Sequence, residues 1–121
     1  MYKKILVPLD GSLLAEAVLP HAEALAKSEG AEIIILRVPA IPAPEFISRD
    51  PAAASLIIKE LEDETNYYVQ TEVEKLQKDG VNVKGMTRNG DVPDVILKVA
   101  EETHADVIAM STHGRSGIQR W

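Results

Sequence analysis

Four short apolar runs, separated by longer stretches with helical spacing, constrain this chain more than any other feature. Lys4-Ile5-Leu6-Val7-Pro8-Leu9 is the first run and stops at Asp10-Gly11-Ser12. Glu32-Ile33-Ile34-Ile35-Leu36-Arg37-Val38 is the second, β-branched and nearly continuous. Val81 to Arg88 alternates like a strand with one more exposed face, and Asp106-Val107-Ile108-Ala109-Met110-Ser111 is the fourth. Continuous apolar runs of this length read as strands buried on both faces. Strands that alternate with helices predict an α/β chain: a three-layer αβα arrangement with an open parallel sheet and right-handed crossovers.

The intervening segments carry the matching helical signals. Ser12 is a helix-start residue. After it, Ala15, Val18, Leu19, Ala22, Leu25 and Ala26 recur at spacings of three and four, with Gly30 as the stop. Pro20 falls inside that stripe and predicts a kink. Between Pro39 and Pro51 the sequence places four prolines in 13 residues, which predicts a long loop with neither helix nor central strand. From Ala52 to Asp79 the helical pattern returns, with Ile57, Leu61, Tyr68, Val69, Val73 and Leu76 on one face. The charges of Lys59 to Glu64 read as a solvated face. Gly90-Asp91 then punctuates the chain, Pro93 suits a first helical turn, and Val92, Val95, Ile96, Val99 and Ala100 form the next stripe.

The 121 residues suffice for a single domain spanning 1–121. The chain contains no cysteine, which removes disulfides, thiolate metal sites and a cysteine nucleophile, and suits a reducing compartment. No stretch approaches the roughly 20 apolar residues of a membrane helix, and the short apolar run after Lys3-Lys4 is too brief for an export signal. These features set the expectation of a cytoplasmic protein without a membrane partner. A net charge of −6 argues against general nucleic-acid binding, yet backbone amides and a local cation can still hold phosphates.

In open α/β sheets, ligands bind beyond the carboxyl ends of the strands. Ser111-Thr112-His113-Gly114-Arg115-Ser116-Gly117 combines two glycines, hydroxyls and a cation after a buried strand. Converging N–H groups there could cradle an anion, and a Gly/Ser-rich solvated turn would have the same composition. Asp10, at the end of the first strand, could accept hydrogen bonds from ribose hydroxyls or help hold a metal; it could equally cap its own turn. No G-x-x-x-x-G-K-[ST] and no G-x-G-x-x-G follows the first strand. His21, His104 and His113 lack metal spacing. Ser12, Asp10 and His113 can be drawn as a triad, but no G-x-S-x-G elbow supports one.

Lys4 to Ser12, the alanine-rich first helix, the proline-rich segment after the second strand, Gly90-Asp91-Val92-Pro93, and Ala105 to Ile108 through Ser111 to Gly117 together resemble the universal stress protein family, in order and over nearly the whole chain. The resemblance implies a Rossmann-like sheet of the adenine-nucleotide α-hydrolase type, with strands in order 3-2-1-4-5, and a dimer or other homo-oligomer. It implies ATP as ligand, with AMP, ADP and an accompanying Mg ion as variants. By the same resemblance Pro8, Leu9 and Asp10 lie by the ribose, Val38 borders the adenine, and Met110, Ser111, Thr112, His113, Gly114, Arg115 and Gly117 wrap ribose and phosphates.

The family's ATP pattern is Gly, two residues, Gly, nine residues, then Gly and Ser or Thr. Gly114 and Gly117 match its first half, and the second half would fall beyond Trp121. The expected order is therefore 3-2-1-4 with the fifth strand missing. An uncovered fourth strand would recruit another chain, or residues 112 to 121 would fold back over it, with Ile118 and Trp121 covering apolar surface. The function expected is a nucleotide-binding stress or regulatory protein, with no catalytic residues evident and slow ATP hydrolysis at most. The alternative is a nucleotide-independent dimeric interaction module of the same family.

Overall fold

The computed structural model describes residues 2–112 and 115–120, with side chains described through residue 111. Strands β1 (Lys4–Leu9), β2 (Glu32–Arg37), β3 (Asn82–Thr87) and β4 (Val107–Thr112) form the parallel core of the sheet. Their order is β3-β2-β1-β4, as expected. Helices α1 (Leu13–Glu16), α2 (Leu19–Glu29) and α4 (Pro51–Lys78) pack on one face, and α5 (Val92–Thr103) on the other. The two apolar layers follow the alternation of the strands. Ile5, Val7, Ile33, Ile35, Val107 and Ala109 meet α2 and α4, while Leu6, Ile34, Leu36 and Ile108 meet α5.

The expected absence of a fifth strand is corrected, and the stated alternative, a fold-back over β4, is what Arg115–Arg120 form; two further expectations, both about prolines, also need correction. The outer side of β4 is not bare. Residues Arg115–Arg120 return as an antiparallel strand, β5, pairing Val107 with Arg120 through to Thr112 with Arg115. An antiparallel neighbour can come from residues close by in the sequence, so Arg115–Arg120 can satisfy the N–H and C=O groups along that edge.

The first helix does not kink at Pro20 but divides. α1 ends at Glu16, and α2 begins at Leu19 with Pro20 in its first turn. A proline lacks the N–H that an interior position must donate, whereas a first turn leaves that N–H unpaired in any case.

The same rule rewrites the proline-rich segment, where Pro44 opens a short helix, α3 (Pro44–Arg49), and Pro51 opens α4. α4 has 28 residues, about 42 Å, against about 20 Å for a six-residue strand. Its amino-terminal half therefore overhangs the sheet. Ile57, expected on the buried face, is 39% exposed, while Val69, Val73 and Leu76 are buried.

Candidate functional site

The strand registers bring the predicted positions to one level. β1 pairs with β2 as Pro8↔Leu36 and Leu9↔Arg37, which sets Asp10 beside Val38. β1 pairs with β4 through Ile5↔Val107 and Leu6↔Ile108, and carrying that register forward sets Leu9 and Asp10 level with Ser111 and Thr112. The β1–β2 ladder runs the length of β1, whereas the β1–β4 ladder stops after Leu6 and Ile108. Beyond that point lies Pro8, which has no N–H to donate. The two central strands thus share no ladder pairs beyond Leu6 and Ile108. This is where the winding of the sheet reverses, the position at which open α/β sheets form a crevice.

Asp10 directly follows β1 at that position and is exposed. Its Oδ1 accepts from the Ser12 N–H at 2.9 Å, so the turn-capping reading of this residue is realised. The Ser12 hydroxyl, and then the Ser12 N–H, hold the Asp10 carboxyl below the ordinary carboxylate range; Arg37 adds a smaller pull. Ser12 is in turn the N-cap of α1, its Oγ accepting from the Ala15 N–H at 3.0 Å. That engagement gives Ser12 a structural role in place of a nucleophile's. On the α5 side of the sheet, Val38 and Met110 are partly buried side chains packed against the apolar cluster. An ionised acceptor therefore stands at the same strand ends as an apolar margin. A nucleoside offers hydroxyl donors and a flat base, and these residues suit both. Among the described residues no cluster of three or more His, Asp or Glu could hold a metal ion.

One residue at this edge escaped the sequence reading. Arg37 ends β2 on the α4 side, its side chain 15% exposed, with its guanidinium 4.7 Å from the centre of the Tyr68 ring and 3.8 Å from Glu64. It also lies beneath the first turn. Gly11 adopts φ +89°, and a Cβ there would stand 3.2 Å from Arg37 Nη2. Tyr68 donates to Glu16 Oε2 at 2.5 Å, which ties α4 to α1. Burial, and then the Glu16 contact, push the Tyr68 hydroxyl well above its usual range, so it remains a donor. The available signal was a cation directly after the apolar run Ile33 to Leu36.

The remaining predicted positions are distributed as follows. Pro8 and Leu9 lie on β1, and Met110, Ser111 and Thr112 on β4. Arg115 and Gly117 lie on β5, opposite Thr112 and Met110. His113 and Gly114 fall outside the described residues. His21 is exposed in the first turn of α2, and His104 is the left-handed C-cap of α5 at φ 58°, ahead of the amino end of β4.

A parallel core in order 3-2-1-4, helices on both faces and a winding that reverses between β1 and β4 define an open, three-layer α/β domain of the Rossmann-like class. The comparisons with known proteins narrow the class. The model of the universal stress protein family matches residues 1–121. Universal stress protein MJ0531 of Methanocaldococcus jannaschii is 30% identical over 121 residues, covering 99% of this chain and 70% of the relative. The chain belongs to the universal stress protein family.

Solved structures agree on the fold. A universal stress protein from Burkholderia pseudomallei, 24% identical, superposes with a TM-score of 0.79 over 93% of this chain and 83% of that one. Another, 17% identical with a TM-score of 0.68 over 90% of this chain and 75% of that one, was solved in complex with cAMP.

Proposed function

We propose that this chain binds an adenine nucleotide, ATP in the first place, at the carboxyl ends of β1, β2 and β4, and acts as a regulatory or stress-response protein rather than as a fast enzyme. The observation that carries this reading is the end of the β1–β4 ladder at Leu6 and Ile108 while β1 and β2 stay paired to Leu9↔Arg37, with Asp10 and Val38 the next residue on each of those two strands. Asp10 would accept from the ribose hydroxyls, Val38 and Met110 would flank the base, and Ser111 to Gly117 would meet the sugar and phosphates. Pro8 and Leu9 supply the β1 wall. The solved relative with cAMP gives the reading a precedent for an adenine nucleotide on this fold. A divalent ion such as Mg would arrive with the phosphates. AMP and ADP are the smaller ligands of the same chemistry, and the working form is a homodimer or another homo-oligomer. No helix among the described residues is long and apolar enough to cross a membrane, which leaves the proposed cytoplasmic setting open to direct localisation.

Mass spectrometry of the purified, denatured protein, with a thermal-shift series in ATP, AMP and adenosine, tests the reading. Co-purified nucleotide, or a rise in melting temperature that saturates with ATP, is expected. A clean spectrum together with no shift would leave the nucleotide-independent interaction module as the function.

A further inference from the structure

A second cleft opens at the same edge of the sheet, between the exit of β3 and the overhanging half of α4. Its volume is about 320 Å³, within the range of small-molecule sites. Glu62, on α4, lines it. Arg88 and Asn89, just after β3, line it as well. Among the described residues the side chains of Glu62 and Asn89 have no hydrogen-bond or ion-pair partner. Arg88 gives one N–H to the Thr87 carbonyl at 3.1 Å and stands 3.8 Å from Glu102 on α5. Glu62 and Arg88 do not pair with each other. Asn66 and Thr87 add a neutral polar wall, joined at 3.3 Å. Thr65 is buried and donates its hydroxyl to the Leu61 carbonyl at 2.6 Å, so it offers the cleft no donor.

An unpaired carboxylate and a guanidinium with spare donors therefore line one cleft, with amide and hydroxyl groups among them. A simple anion would meet Glu62 and a chain of net charge −6, and a simple cation would meet Arg88. A ligand carrying both charges satisfies both groups at once, and fork-like pairing of Arg88 with a carboxylate sets its direction. We propose that this cleft binds a small free zwitterion, an amino acid or a related ω-amino acid, with its ammonium group at Glu62 and its carboxylate at Arg88. The cleft shares no lining residue with the set proposed for the nucleotide. Pro39 lines the cleft one residue after Val38, which makes the β2 exit a shared border between the two.

The test is a ¹H–¹⁵N correlation titration of the full chain with γ-aminobutyrate, δ-aminovalerate and ε-aminocaproate, against hexylamine and hexanoate as singly charged controls. At least one ω-amino acid should produce saturating shifts in the Asn66 and Asn89 side-chain amides, with both controls weaker by about tenfold or more. Glu62→Gln and Arg88→Met, at exposed positions whose replacement leaves the core untouched, should each weaken the effect by a similar factor. Absence of saturating shifts with every ω-amino acid would overturn the proposal. So would equal binding of a singly charged control, or binding that survives both substitutions. Because no nucleotide is added, none of these outcomes bears on the crevice at Asp10.

Discussion

The two edges of the parallel sheet use the same side chain in opposite ways. At the amino edge, Asp106 Oδ2 accepts from the Lys3 N–H at 2.7 Å and the Lys4 N–H at 3.0 Å, while its own N–H donates to the Lys4 carbonyl at 2.9 Å. The Glu32 N–H donates to Lys3 at 2.9 Å, so β1, β2 and β4 begin strapped together. At the carboxyl edge, Asp10 bonds only within its own turn, and β1 and β4 are unladdered beyond Leu6 and Ile108. A carboxylate committed to two strands contributes to stability, whereas one committed only to its own turn keeps acceptor capacity for a ligand. The edge that holds the fold and the edge that can bind are separated by the length of a strand.

The largest effect should come from a change that ignores this division. Gly85 lies mid-β3, where an added Cβ would overlap Val69 Cγ1 and stand 3.0 Å from Val73 Cγ2. Gly85→Val should lower the unfolding free energy by about 1–3 kcal/mol, the range for overpacking, and weaken ligand binding with it. A urea midpoint equal to the wild type would show that the seam between α4 and β3 yields easily.

The next two predictions separate the edges. Asp10→Ala should weaken ATP binding by about 1.5–3 kcal/mol, the value of a hydrogen bond to a charged group, and change stability by less than about 1 kcal/mol. Calorimetry showing unchanged affinity would remove Asp10 from the ribose. Asp106→Ala should do the reverse, costing about 1–2 kcal/mol of stability because the carboxylate is partly solvated, with ATP affinity of the folded protein retained. Loss of affinity in that variant would mean that the edges are coupled through β1.

The smallest effect is the pH dependence. Two backbone N–H groups, from Lys3 and Lys4, hold Asp106 below the usual carboxylate range. Asp10 is lowered as well. Each contributes stability that is present above its unfolded pKa and lost as pH falls through its lowered folded value. Glu23, on α2, goes the other way, raised first by the neighbouring Asp79 carboxylate at the end of α4, with which it can share a proton, and then by burial. Its contribution is present below its unfolded pKa and lost as pH rises through the raised folded value. Unfolding free energies followed from acid to neutral pH should therefore show Asp106→Asn flattening the acid limb and Glu23→Gln the neutral limb. Each change should amount to a few tenths of a kcal/mol, as for other solvent-screened charges. Identical profiles for wild type and Glu23→Gln would remove Asp79 as its partner.

The sequence by itself determined the layers and the level of the site. Runs such as Ile33 to Leu36, apolar at successive positions, can be satisfied only by burial on both faces, and the segments between them carry helical spacing. Asp10 and Val38 could be named because they directly follow such runs. What only the tertiary structure decided were matters of partnership. Pro20, Pro44 and Pro51 have the same local preferences wherever they stand, but whether a proline breaks a helix or opens one depends on where the neighbouring turns pack. The return of Arg115–Arg120 along β4 depends on an edge that exists only once β4 is in the sheet. Arg37 became a cation beneath Gly11 and over Tyr68 because strand register and helix packing brought positions 26 and 31 residues distant into contact. Glu62 and Arg88 likewise share a cleft only because α4 overhangs the sheet. Periodicity records which face a residue takes, while the partner across that face is set by the fold as a whole.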